Sequence, residues 1–414
     1  TFNRPMNWES VSQKLQISPV LPGKTSWSGR RLAYTLTQPV PYGQTFQLKL
    51  ASATGAKGGT VEPFTASFKS RDLSFAYLGV NGDEAGRVIL YNQSQDKKTV
   101  LTPENLSVLR FKAYPKGDRL LFSATERTPS ASGMMSAKLY QVTTGLSPEY
   151  PAGKVDLVLD NQDYQILKFD LAATGDRIVV ERTAKNNMMD ANLWQIRGNG
   201  KPEPLKTSGG GDFLIAPDGQ TLVLAQGQGL ALIALDDQAS DKPLDFLPKF
   251  GMVLNFAPDG SAASMLKFNT DFTRSLFLVT NQGTQKELLR TKGSILSSQF
   301  SPQRDAMYCL LNKLISENPY KEQPYIAKID LKTAKVQELL TLPIQQNVKF
   351  SLAPDGSKLL FDQSSSATTA NGQQPTGNPP MKNILSLALS PAGSTTPLPA
   401  PKVQAVGSDP QWLP

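Results

Sequence analysis

The sequence predicts an all-β chain assembled from one repeated hairpin unit, and three observations carry that prediction. A single kind of turn recurs, its copies follow a period in the forties whose surplus sits in loops, and the composition is rich in turn formers. Gly and Pro number 31 each in 414 residues, while charged residues make up only 19%, as in a turn-rich β protein. The clearest copy spans residues 252–268, where the apolar run 253–256 meets Ala257-Pro258-Asp259-Gly260 and a second run, 262–268, follows. Pro suits the turn position whose φ lies near −65° and Gly suits the last position, so these four residues specify a type I turn between antiparallel strands.

Related turns stand at Tyr114-Pro115-Lys116-Gly117-Asp118, Ala173-Thr174-Gly175-Asp176, Ala216-Pro217-Asp218-Gly219, Ser301-Pro302-Gln303-Arg304-Asp305 and Ala353-Pro354-Asp355-Gly356. One such turn would mark a hairpin in any antiparallel protein; the spacing is what adds specificity. With Gly117, Gly175, Gly219, Gly260, Arg304 and Gly356 in one column, the gaps are 58, 44, 41, 44 and 52 residues. After each second strand comes a third of shared character, as at 137–142, 192–196, 230–235, 275–279, 325–329 and 383–387. A turn then leads to a short fourth strand, such as 285–289 or 335–340. Four strands per repeat of this length describe the blade of a β-propeller.

Second strands begin near Leu73, Arg119, Arg177, Thr221, Ala262, Ala306 and Lys358, which predicts seven blades over residues 71–414. The first blade lacks an innermost strand, and residues 403–412 offer one with no hairpin after it. Pairing 403–412 with 73–79 closes the predicted ring and hides two edges that an open array would expose. The repeat and the terminal Asp409-Pro410-Gln411-Trp412-Leu413-Pro414 resemble TolB-type propellers, a WD-repeat-like family. Arg304 in place of Gly, and Ala-Thr-Gly in place of Pro-Asp-Gly, depart from that pattern.

Residues 1–70 do not follow the blade pattern. Short alternating strands at 31–36 and 45–50, with turns at Trp27-Ser28-Gly29 and Pro41-Tyr42-Gly43, predict a β-sandwich. Phe2, Pro5-Met6, Ile17, Pro19, Gly29, Tyr42-Gly43, Phe46, Leu48, Leu50 and Phe64 together resemble the bacterial Ig-like domain of S-layer and other envelope proteins. In that family an opening strand precedes the Phe-x-x-Pro-Met element. The resemblance therefore implies a segment upstream of Thr1, where a signal peptide or membrane anchor would lie.

Histidine is absent, which removes the side chain most used for acid–base chemistry near neutrality and the commonest zinc ligand. The one cysteine, Cys309, lies in an apolar strand and reads as a buried, inert thiol. No Walker loop or Gly-x-Ser-x-Gly elbow occurs. Asp236, Asp237, Asp241 and Asp245 gather near one turn without the Gly and terminal Glu of a calcium loop. No catalytic residue, metal ligand or cofactor site is expected, and the chain is expected not to be an enzyme. The formal charge of +8 is spread without a run of five basic residues, so no specific nucleic-acid binding is expected. No stretch reaches the 18 or so apolar residues of a membrane helix.

The extra residues of the repeats fall in second-to-third strand connections, at 126–136, 183–191, 269–274, 312–324 and 363–382. These carry Met134, Met135, Met188, Met189 and Met381, five of the nine methionines, with Phe272, Tyr320, Arg127, Arg182, Lys185 and Arg274. Thioethers adapt to partner surfaces, so Met134, Met135, Met188, Met189, Met381 and Phe272, ringed by Arg127, Arg182 and Arg274, are the candidate partner-binding residues. The alternative is that the methionines fold inward and plug the mouth of the central channel. Resemblance to TolB-type chains implies a protein-binding scaffold of an extracytoplasmic, envelope-associated complex. The alternatives are a gating propeller of a larger hydrolase or peptidase system and a cell-wall or carbohydrate-binding protein.

Overall fold

The structure, a computed structural model, describes residues 1–37, 40–128, 133–147, 149–207, 209–227, 229–235, 245–364, 382–390 and 397–414. Strand accounts for 56% of it and helix for 3%, so the all-β prediction stands. Among the described residues no helix is long and apolar enough to cross a membrane. Two compact units are present, one of Thr1–Ser74 with Tyr91–Lys97 and one of Phe75–Leu90 with Lys98–Pro414.

The smaller unit contains an element absent from the strand reading, the helix α1 (Trp8–Lys14). Asn7 caps it by accepting the Ser10 amide at 3.0 Å, with Glu9 in the first turn and Lys14 in the last, each charge placed favourably for the helix dipole. A three-stranded sheet runs in the order Leu15–Ser18, Thr45–Leu50, Phe64–Lys69, and Gly23–Ser28 forms a separate hairpin with Arg31–Leu36. Val11, Met6, Leu50 and Ala53 make its core, with Trp27 and Leu32 against them. Buried Phe46 stacks on Phe68 at 5.3 Å.

The larger unit is built on seven four-stranded antiparallel sheets among the described residues. Sheet 1 runs Ser408–Trp412, Ser74–Leu78, Val88–Asn92, Lys97–Val100, and sheet 2 runs Leu106–Ala113, Arg119–Glu126, Lys138–Thr143, Val155–Leu159. Sheet 3 runs Tyr164–Leu171, Arg177–Ala184, Asn187–Arg197, Glu203–Pro204, and sheet 4 runs Phe213–Ile215, Thr221–Gln226, Gly229–Ala234, Asp245–Leu247. Sheet 5 runs Met252–Phe256, Ala262–Phe268, Arg274–Thr280, Gln285–Thr291, and sheet 6 runs Ile295–Phe300, Ala306–Glu317, Tyr320–Asp330, Val336–Thr341. Sheet 7 runs Phe350–Leu352, Lys358–Ser364, Lys382–Ala388, Lys402–Val406.

The repeated turn does in space what its residues require. Gly117, Gly175, Gly219, Gly260 and Gly356 all have φ between 66° and 79°, and Arg304 holds the same left-handed conformation at 58°, at a cost that Gly avoids. The second strands carry apolar runs, as at 120–122, 178–180, 222–224 and 359–361, because both faces are covered there. In Arg119–Glu126, Leu120, Phe122 and Ala124 join a cluster with Val88 and Leu90 of sheet 1. The intervening Leu121 joins Ile178 and Val180 of sheet 3. The same alternation links sheets 3 and 4, 4 and 5, 5 and 6, and 6 and 7. Cys309 lies fully buried in one of these clusters, and burial pushes its thiol well above the ordinary range.

Polar bonds run between the first strands of successive sheets. Gln411 donates to Phe111 O at 2.9 Å, and Lys112 pairs with buried Asp170, which also accepts Ile215 N at 2.8 Å. Asn255 donates to Ser298 O at 2.9 Å, Gln299 accepts Leu352 N at 2.7 Å, and Ser351 Oγ accepts Trp412 N at 3.0 Å.

Two expectations are corrected. Residues 403–412 do not act as one closing strand: Lys402–Val406 is the fourth strand of sheet 7, and only Ser408–Trp412 pairs with Ser74–Leu78. Asp409, at φ 52°, and Pro410 interrupt that register between Ser408 and Gln411. The insertions at 183–191 and 312–324 are not loops but longer hairpins, with Arg182 paired to Asn192, and Asn312 to Pro324. Cross-strand pairing extends wherever the backbone can continue its ladder.

Candidate binding face

In sheets 2 to 7 the Pro-Asp-Gly type of turn joins first to second strand, so the second-to-third hairpin tips emerge at the other end. Large apolar side chains stand exposed there. Met188 and Met189, at the start of Asn187–Arg197, are 55% and 93% exposed. Met135 is 38% exposed in a 3₁₀ turn, Gly133–Ser136, that lies against the first strand of sheet 3. Met134 shares that turn, while Met381 and the carboxylates Asp236, Asp237 and Asp241 lie outside the described residues.

Phe272 is 90% exposed and sits at φ 62°, a conformation rarely held by a bulky residue. The turn around it is over-determined. Phe272 N donates to Asn269 O at 3.1 Å, and Asn269 N donates to Thr273 O at 2.9 Å. Asp271 accepts from Thr273 N and Oγ1 and from Arg290. The Thr273 hydroxyl and amide, and then Arg290, hold the Asp271 carboxyl down to about 2.

The tip of sheet 6 adds Tyr320 and Ile315, 60% and 51% exposed, and sheet 5 adds Phe268 at 57%. Tyr320 Oη donates to Glu322 at 2.7 Å, and Glu322 also takes Ser294 N at 2.9 Å and Asn312 Nδ2 at 2.7 Å. A groove of about 550 Å³ runs beside this hairpin, lined by Lys292, Gly293, Lys313, Ile315 and Glu317. At Gly293 the backbone approaches that of Asn312 so closely that a Cβ would meet Asn312 O at 1.8 Å. Phe268 and Ile315 were not singled out from sequence: Phe268 ends a predicted strand that reads as ordinary core, and Ile315 stands in the 312–324 connection without being named.

The three arginines expected around the patch do different things. Arg274 Nη1 donates to Lys292 O at 2.8 Å, and Arg127 binds the carbonyls of Leu106, at 3.3 Å, and Ala85. Arg182 is corrected: it is 5% exposed within its strand and not a rim residue. Its place on the strand face that carries Ile178 and Val180 puts it between sheets.

A second charged group lies where sheet 7 meets Ser408–Trp412. Asp362, 1% exposed, accepts Lys349 N at 2.8 Å and Asp409 N at 3.0 Å, and lies 3.7 Å from Lys382 Nζ. Burial first, and then the Asp362 charge, raise the Asp409 carboxyl above its ordinary range against the pull of Lys349 and Arg110. A raised folded value means that Asp409's stabilising contribution is present at acid pH and lost as pH rises through that value. D409N, whose Asn also tolerates φ > 0, is expected to melt higher than wild type at neutral pH, with the gap closing in acid. Thermal melts at the two pH values check it; equal gaps would count against the burial argument.

No family model matches the chain, and no curated protein is similar to it. Solved structures of similar fold include TolB from Acinetobacter baumannii, 11% identical, covering 100% of this chain and 89% of that one at TM-score 0.48. An oligogalacturonate lyase from Vibrio parahaemolyticus is 11% identical, covering 78% and 95% at TM-score 0.49. A prolyl endopeptidase is 12% identical, covering 85% and 54% at TM-score 0.46. These neighbours are TolB-like and related β-propellers. The expectation that the chain is not an enzyme is corrected: a lyase and a peptidase stand among the similar structures, and the question of catalysis is open.

Proposed function

We propose that the larger unit is a closed seven-bladed propeller that binds a protein partner through its second-to-third hairpin tips. The observation that carries this reading is the set of exposed, geometrically held anchors: Met188, Met189, Phe268, Phe272, Ile315 and Tyr320. Scattered exposed apolar residues need no explanation, but aromatic and methionine side chains gathered at one end of the sheets have the make-up of an interface core. Lys292, Lys313 and Arg290 border them and favour a partner segment with apolar anchors and acidic flanks. Ring closure is supported by the bonds from first strand to first strand and by Ser408–Trp412 beside Ser74–Leu78. The proposed Ig-like sandwich of the smaller unit and an extracytoplasmic setting rest on the sequence resemblances.

The test replaces Met188, Met189, Phe272 and Tyr320 together by Ser and compares capture from an envelope extract with that of wild type. Capture is expected to be lost. Stability should change by no more than about 0.5 kcal/mol per site, as is usual for exposed positions. Unchanged capture would overturn the reading, and a large loss of stability would favour methionines folded into the channel mouth.

A further inference from the structure

Side chains alternate along Arg177–Ala184, so Ile178, Val180 and Arg182 share one side. Ile178 and Val180 pack with Leu121, Leu139 and Leu159 of sheet 2. Arg182 continues that row toward the hairpin tip, still 5% exposed. Its guanidinium carbon lies 4.3 Å from the Tyr164 ring centroid and 4.0 Å from that of Trp194. Both rings are half-buried and reach the surface. Arg182 Nη1 donates to Asn161 Oδ1 at 3.4 Å.

Three polar atoms of this cluster are buried with no partner: Arg182 Nε, Asn161 Nδ2 and Trp194 Nε1. All three are donors. Among the described residues no carboxylate pairs with Arg182, and Asp160, next to Asn161 in the chain, is drawn instead with Glu126 to Lys138 at 3.6 and 3.5 Å. The rings offer the cation their faces, but they accept no in-plane N–H. A buried guanidinium beside two further orphan donors is costly unless something supplies negative charge and acceptor oxygens.

We infer that Arg182, Asn161, Tyr164 and Trp194 form a binding site for a carboxylate group. A carboxylate is planar, brings two acceptor oxygens, and matches the guanidinium fork. One cation with two neutral donors balances a monoanion, whereas a phosphate dianion would keep uncompensated charge. The carboxylate belongs either to a free small acid or to a polypeptide, as a Glu or Asp side chain or a C-terminus. The site is separate from the exposed apolar tips and does not depend on the partner-face reading.

Nitrogen-resolved NMR of the intact chain reads the Arg182 Nε–H and Trp194 Nε1–H signals directly, with assignments from R182K and W194F. The probes are sodium acetate, an N-acetylated peptide with a free C-terminus, the same peptide amidated and carrying one Glu, and sodium chloride at equal ionic strength. Both signals are expected to move together and saturably with acetate but not with chloride. Folded R182K should bind acetate about tenfold more weakly, because Lys cannot form the bidentate pair. Tighter binding of either peptide than of acetate would identify a polypeptide source, and equal binding a free acid; both support the site. If no carboxylate moves the signals, or chloride moves them equally, the inference fails, with water and the two rings left to hold the guanidinium. The wild-type titration decides this even if R182K does not fold. Loss of partner capture in the tip variants alongside unmoved signals would leave the partner face standing without this site.

Discussion

Removing residues 403–414 is expected to produce a chain that aggregates and loses its cooperative melt. The deletion takes away residues 403–406 of Lys402–Val406, the outer strand of sheet 7, and all of Ser408–Trp412, which pairs with Ser74–Leu78. It also removes Trp412 and Leu413, 6% and 2% exposed, and the edge-on contact of Trp412 with Phe75 at 5.4 Å. Ser74–Leu78, nearly all buried, would be left with an unpaired edge, an open template for other chains. W412A is a milder version and should cost about 3–5 kcal/mol, as for a large aromatic removed from a core. Size-exclusion chromatography and thermal melting measure both. A truncated chain that stays monomeric with an unchanged Tm would count decisively against closure here.

D362A should be nearly as damaging, at about 3 kcal/mol or more. Asp362 is 1% exposed and satisfies the amides of Lys349 and Asp409 while offsetting Lys382. Alanine would strand two amides and one cation at the junction between sheet 7 and Ser408–Trp412. D362N keeps one acceptor and is expected to lose less. The exposed Arg304–Asp259 pair is the contrast, at 50% and 43% side-chain exposure: D259N should change stability by less than about 1 kcal/mol, because water screens it. Chemical denaturation midpoints rank the three variants. If D259N cost as much as D362A, burial would not be what gives Asp362 its weight.

The hairpin tips show where sequence reasoning stopped. Met188, Met189 and Phe272 were legible because large apolar residues stood in what read as connections, and they are exposed. Phe268 was not, because it ends the predicted strand 262–268, and strand alternation looks the same whether a hairpin is packed between neighbours or has run past them; Ile315 stood in the connection 312–324 and was not singled out there. Arg182 read as a surface charge because it stands beside the 183–191 connection. Its burial depends on the sheet opposite, and nothing in the local sequence names that sheet. Helix α1 was missed although Asn7, Glu9 and Lys14 form a serviceable capping pattern, since a helix this short leaves only Val11 as its buried mark.

Sequence by itself determined the turns and, through them, the strands. Gly or its stand-in Arg304 must occupy the left-handed position after each Pro-Asp type of turn, and that backbone demand is local. The second strands at Arg119, Arg177, Thr221, Ala262, Ala306 and Lys358 begin where those turns place them. Only the tertiary structure decided that residues 403–412 divide between two sheets, that Asp362 and Asp170 are buried between strands, and that Arg182 lies among orphan donors. Each of these depends on which surfaces face one another between segments that are not neighbours in the chain, and such contacts leave no periodic trace in it.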